Sequence, residues 1–187
     1  MFFRVDDQIR RQAKSPHEIS MINLLLFNLL MLIALLGGSF IQQDSPLAAY
    51  RLVGVLVPLL LSIAVIVHTL IRAGKAGKED HWFIRAHWRL AAGRDKILLI
   101  AYFVGAALIG LGWLLAQSHS DPRMADMMFV ALQRVAIAPM LITLMVLIML
   151  ESGALFQAGR GEVPNGVIKR LPPPSDLAGQ DQAFPMD

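Results

Sequence analysis

Residues 97–116 read ILLIAYFVGAALIGLGWLLA, an uninterrupted apolar run with no charged residue. A helix rises about 1.5 Å per residue, so a run of this length covers the ~30 Å hydrocarbon core of a bilayer. Three similar runs flank it, Met21–Ile41, Leu52–Ile71 and Met127–Leu150, and none of the four contains Asp or Glu. A soluble bundle would show a polar stripe on each helix. Here 24–36 and 52–67 are apolar all round, apart from Asn28 and Ser62. The reading is an all-α integral membrane protein with four transmembrane helices over about 21–41, 52–71, 97–116 and 127–150.

Composition agrees. The 187 residues are 56% hydrophobic and 17% charged, against roughly 45–50% and 25% for soluble domains. Outside the spans lie an N-terminal amphipathic segment, 1–20, the stretch 72–96 and a proline-containing tail, 151–187. None is large enough for a core of its own, so the membrane part, 21–150, is the only expected globular domain. The absence of cysteine excludes thiol nucleophiles, thiolate zinc sites and iron–sulfur clusters. The first apolar run is too long, and too far behind Asp6, Asp7 and Glu18, for a signal peptide, and is read as a retained helix.

Basic residues orient the chain, because short loops rich in Lys and Arg stay cytoplasmic. Fourteen of the 17 fall in the N-terminal segment, the 72–96 stretch and the tail. Only Arg51 and Arg123 fall on the other side, and Arg134 lies inside the fourth span. Both termini are therefore expected to be cytoplasmic, in a cell inner membrane. The net charge of +3 is explained by topology, and no nucleic-acid-binding motif is present.

Within 72–96, the sequence His81-Trp-Phe-Ile-Arg-Ala-His-Trp-Arg-Leu-Ala-Ala92 predicts a short interfacial helix capped by Asp80. Trp82, Phe83, Ala86 and Leu90 share a face, with Arg85 and Arg89 stacked one turn apart beside it. Trp82, Arg85, Trp88 and Arg89 are the expected contacts to anionic lipid headgroups or to a partner subunit. Phe2, Phe3, Val5 and Ile9 suggest that the first residues lie on the membrane surface. Ser15-Pro-His-Glu18 predicts a helix start with a capping box. Pro172, Pro173 and Pro174 predict an extended tail, free in solvent or lying along a neighbouring subunit.

Ionisable groups at membrane depth are suspects for function. His68, near the cytoplasmic end of the second span, and Arg134, two turns into the fourth, are the candidates. Arg134 is expected to snorkel outward or to pair with Asp126 or Asp121. A shallow b-type haem site would need His68 to face His87, and the six-residue spacing of His81 and His87 argues against a helical metal pair. Ala101, Gly105, Ala106 and Gly110 form small-x-x-x-small pairs that let another helix approach. Pro58 and Pro139 interrupt two spans.

No residue set for known membrane catalysis appears: Asp80, Asp95 and Glu151 have no recognisable spacing. No catalytic, cofactor-binding or metal-ligating residue is assigned, and the chain is read as not an enzyme. The expectation is a non-catalytic inner-membrane subunit, a scaffold, assembly or accessory component of a larger complex. Its partners are anionic lipid and other membrane subunits, with no nucleic acid; a homo-oligomer fits as well. The alternatives are a small transporter or channel-like homo-oligomer for an anionic or lipid-like substrate, and the shallow haem protein.

Overall fold

The computed structural model describes residues 1–38, 45–75 and 81–178, without the side chains of 47, 48, 176 and 178. It is all-helical, with no strand among the described residues. Helix α1 (Asp7–Ile22) passes through a π-helical segment (Asn23–Asn28) into α2 (Leu29–Gly38). A 3₁₀ turn (Pro46–Tyr50) leads into α3 (Arg51–Lys75). The long helices α4 (Trp82–Ala116) and α5 (Pro122–Arg160) follow, then the short α6 (Asn165–Ile168) and α7 (Ser175–Ala178). The 7–38, 51–75, 82–116 and 122–160 helices are each long and apolar enough to cross a membrane.

Two helix starts differ from the sequence reading. Ser15 does not begin a helix: α1 starts at Asp7 and carries Pro16 inside it. Asp7 pairs with Arg10 at 2.7 Å across the first turn, which places an acidic group at the helix's positive end. The helix beginning at Trp82 does not stop at Ala92 but runs 35 residues into the third span. Nothing in 91–96 breaks it: the one glycine, Gly93, is tolerated at a cost of about 1 kcal/mol, and no proline follows. Asp80, the expected cap, lies outside the described residues. Helix α5 begins as its sequence suggests, with Pro122 in the first position and Asp121 Oδ1 accepting from the Arg123 N–H at 2.9 Å.

Buried positions recur along each helix at alternating three- and four-residue steps. In α5 they are Met140, Leu144, Leu147, Glu151, Ala154 and Ala158. In α4 they are Ile84, Trp88, Ala91, Asp95 and Leu98, continuing at Gly105, Gly112 and Ala116. Ser62, Ile66, Thr69 and Ala73 trace the same stripe on α3, and Ala13, His17 and Ser20 on α1, continuing at Leu24 in the π-helical segment. This is the seam spacing of left-handed helix packing. Several seam positions are polar.

The chain divides into two compact units, residues 1–22, 64–95 and 148–187 in the first and 23–63 and 96–147 in the second. The first unit has an aromatic and aliphatic core of Phe3, Trp82, Phe83, Trp88, Ala158 and Val163. The first residues of the chain and the segment after α5 both enter it. Phe3 stacks on Trp82 with ring centroids 5.0 Å apart, and its N–H donates to the Gly161 carbonyl at 2.8 Å. The Val163 N–H donates to the Met1 carbonyl at 3.0 Å, and Trp82 Nε1 donates to the Leu171 carbonyl at 3.2 Å. Thus residues 161–171 pack on their own chain, and Pro172–Pro174 are the non-helical link to α7.

The turn that makes this possible is the end of α5. Glu162 N–H donates to the Gln157 carbonyl at 2.9 Å and Gly161 N–H to the Ala158 carbonyl at 3.3 Å, the bond pair of a Schellman motif. Gly161 has φ +76°, and a Cβ there would sit 2.6 Å from the Phe3 carbonyl oxygen. Only glycine meets both demands.

The second unit holds one internal polar ring. Asn28 Nδ2 donates to Ser62 Oγ at 3.0 Å, Ser62 Oγ meets the Tyr102 hydroxyl at 2.6 Å, and Tyr102 donates back to Asn28 Oδ1. Asn28 Nδ2 also reaches the Asn23 carbonyl at 2.9 Å. The wider π turn brings that carbonyl, five residues back, within range of the amide. Elsewhere contact comes through small residues: a Cβ on Gly105 would lie 3.6 Å from Met140 Sδ, and one on Gly112 would lie 3.0 Å from Leu132 Cβ.

Candidate functional site

The densest chemistry in the molecule is a buried chain of side chains in the first unit. His17 (α1), Glu151 (α5) and His87 (α4) are 0%, 1% and 0% exposed. His17 Nδ1 meets Glu151 Oε2 at 2.6 Å, and His17 Nε2 meets His87 Nδ1 at 2.9 Å. Arg94 Nη1 lies 3.3 Å from Glu151 Oε1. Asp95 is also buried, on the same α4 seam. Three of these residues arrive there by periodicity: His17, Asp95 and Glu151 occupy seam positions, and His87 and Arg94 each immediately precede one.

The proton inventory is constrained. The arrangement with fewest buried charges pairs the Glu151 carboxylate with the Arg94 guanidinium and leaves both imidazoles neutral. His17 then donates from Nδ1 to Glu151 and accepts at Nε2 from the His87 Nδ1–H. His87 Nε2 makes no hydrogen bond of good geometry, the Glu162 backbone being the polar group beside the ring. A carboxylate orienting an imidazole is half of a catalytic triad. Here the second imidazole stands where a nucleophile would, and all three groups are closed off from solvent. What the arrangement does is join α1, α4 and α5 through bonds that demand one register. Among the described residues no group of three or more His, Cys, Asp or Glu is arranged to hold a metal ion.

The residues singled out in the sequence are distributed differently. Trp82 and Trp88 are 4% and 6% exposed, turned into the core of their own unit. Arg85 is half-buried and Arg89 exposed. His68 packs its ring on Trp88, centroids 6.1 Å apart, with the Arg72 guanidinium over the same indole at 5.7 Å. His87, its suggested haem partner, instead bonds to His17. Arg134 is exposed, and Asp121 is occupied in capping α5. Of the small residues, Gly105 is buried and Ala101 half-buried, while Ala106 is exposed and Gly110 has nothing within 4 Å. The tight approach is at Gly112, where a Cβ would meet Leu132 at 3.0 Å; Gly105, seven residues earlier on the same face, is buried with ordinary van der Waals room.

His17, His87, Arg94, Asp95 and Glu151 were not legible as a group from spacing along the chain, since they come from three helices far apart in sequence. For Asp95 and Glu151 the available signal was their place on the seam. Asp95 falls seven residues after Trp88 and Glu151 seven after Leu144, positions buried in any helix that packs by heptads.

Fold and site together define a multi-pass membrane protein of four long helices, with an ionic and imidazole network closed inside one unit. No protein-family model, curated protein or solved structure matches this chain.

Proposed function

We propose that this chain is a non-catalytic inner-membrane subunit, a scaffold or accessory component of a larger membrane complex. Both ends and the 72–96 stretch then lie on the cytoplasmic side, as the distribution of basic residues supports. The observation that carries the reading is how the first unit spends its side chains. Its histidine–carboxylate chemistry is turned inward, with His17 bonded to both Glu151 and His87. Its exposed positions include Arg4, Arg11, Lys75, Arg89, Lys169 and Arg170. A body held in one register with a basic exterior suits docking to anionic headgroups or to an acidic face of a neighbouring subunit.

Helix lengths support this placement. Helix α5, with 39 residues, extends about 58 Å, well beyond the ~30 Å hydrocarbon core. The surplus turns of α1, α4 and α5 are those bearing the buried network. The first turns of α4 then take the interfacial role expected of 81–92, with Arg89 rather than the tryptophans facing outward.

Gentle detergent extraction of the tagged native protein, with mass spectrometry and an absorption spectrum of the eluate, tests the reading. A stoichiometric partner set is expected. A lone homo-oligomer would overturn the accessory role, and a Soret band would return haem to the account. Arg89→Glu is expected to weaken association with anionic vesicles while leaving insertion and folding intact; undiminished association would remove the basic-surface argument.

A further inference from the structure

The second unit contains an open cavity of about 690 Å³ among the described residues, lined by parts of α2, α3, α4 and α5. Its volume falls within the ~300–1,000 Å³ of small-ligand sites. The wall is as much polar as apolar: Trp113 and Phe129 supply rings, and the polar side chains are Arg51, Gln117, Asp126 and Gln133.

Arg51 is the informative residue. Its Nε and Nη2 are buried and have no hydrogen-bond partner. Asp126 lines the same cavity, yet no ion pair joins it to Arg51 among the described residues. Buried guanidinium donors without an acceptor are costly, because those two N–H groups have lost water without gaining a partner. An acceptor supplied from the cavity removes that cost. A guanidinium presents a planar fork that fits two oxygens of a carboxylate or phosphate. The rings beyond it offer apolar surface for a chain, and the two glutamine amides offer neutral hydrogen bonds to a linking ester or hydroxyl.

We propose that this cavity binds an amphiphilic oxyanion, a carboxylate or phosphate carried on an aliphatic chain, with the head on Arg51 and the chain against Trp113 and Phe129. The assignment moves anion recognition from Arg134, which the sequence singles out, to Arg51. It stands apart from the accessory role proposed above, since the site belongs to a different unit and needs no partner.

Full-length protein, delipidated in a neutral maltoside, is titrated with oleate, lysophosphatidate, monoolein and inorganic phosphate. Binding is followed by tryptophan fluorescence and by native mass spectrometry. Oleate and lysophosphatidate are expected to bind saturably at one site. Arg51→Gln is expected to weaken both by about tenfold or more, the worth of a charge-assisted hydrogen bond, and Arg134→Gln to leave them within about twofold. Monoolein binding as tightly as oleate would overturn the role of the charge. Inorganic phosphate binding as tightly as lysophosphatidate would overturn the role of the chain. Should Arg51→Gln fail to fold, Val55→Trp fills the cavity from α3 and is expected to abolish binding with helicity unchanged; retained binding would place the ligand elsewhere.

Discussion

The two units solve the same packing problem with opposite materials. In the first, the helix seams carry His17, Asp95 and Glu151, and bonds among charged and imidazole groups set the register. In the second, the seams carry Gly105 and Gly112, and the main polar device is a neutral ring of Asn28, Ser62 and Tyr102. On the membrane placement proposed above, lipid explains the difference. Charges at the bilayer centre are expensive, whereas amides, hydroxyls and small residues are the usual means of helix association there. Where helices outrun the hydrocarbon, ionic groups become tolerable, and they demand complete pairing once buried. The units should therefore respond differently to substitution.

The largest effect is expected from Glu151→Ala, which strips the counter-charge from Arg94 and the acceptor from His17. Breaking a buried pair from one side costs about 3–5 kcal/mol, readable as a large fall in unfolding temperature in detergent. A shift no bigger than that of a surface substitution would mean that the network does not hold the first unit. Next comes Gly112→Leu, which forces side-chain atoms against Leu132 and is expected to cost about 1–3 kcal/mol. Gly110→Leu, into open space, should be nearly silent, and equal effects at the two positions would refute the seven-residue seam. Gly161→Ala is expected to cost about 1–2 kcal/mol through its left-handed backbone, and to loosen residues 1–5 in hydrogen exchange because the Phe3 carbonyl must move. Unchanged exchange there would separate the turn from the chain start. Tyr102→Phe is the smallest, about 0.6 kcal/mol, the average for a polar contact between membrane helices. A loss several times larger would show that the ring acts as a cooperative unit.

The four membrane helices were legible because lipid imposes a constraint that length and composition alone satisfy. The polar interruptions Asn23, Asn28 and Ser62 stood out in the same way, although their convergence on Tyr102 did not. The first unit was harder to read for two physical reasons. Trp82 and Trp88 beside arginines carry the composition of an interfacial helix, and only the docking of Phe3 and Val163 makes them core. That docking depends on one glycine turn at Gly161, whose partner lies at the other end of the chain. The tail has few apolar residues and is expected in solvent or along a neighbouring subunit, yet Val163 and Leu171 suffice to seat it on its own chain when the receiving surface is aromatic. The network was missed because His17, His87 and Glu151 belong to helices that meet only in the folded protein. Arg51 was counted solely as a topology signal, which its cavity-facing position now supplements.

A double-mutant cycle on His17→Ala and Glu151→Ala, measured by unfolding of the full-length protein in detergent, tests the central claim most directly. The account predicts strong coupling: once Glu151 is gone, removing His17 costs little more, so the double variant falls well short of the sum of the singles. Additive losses would contradict it, leaving the two side chains as neighbours that happen to be buried together.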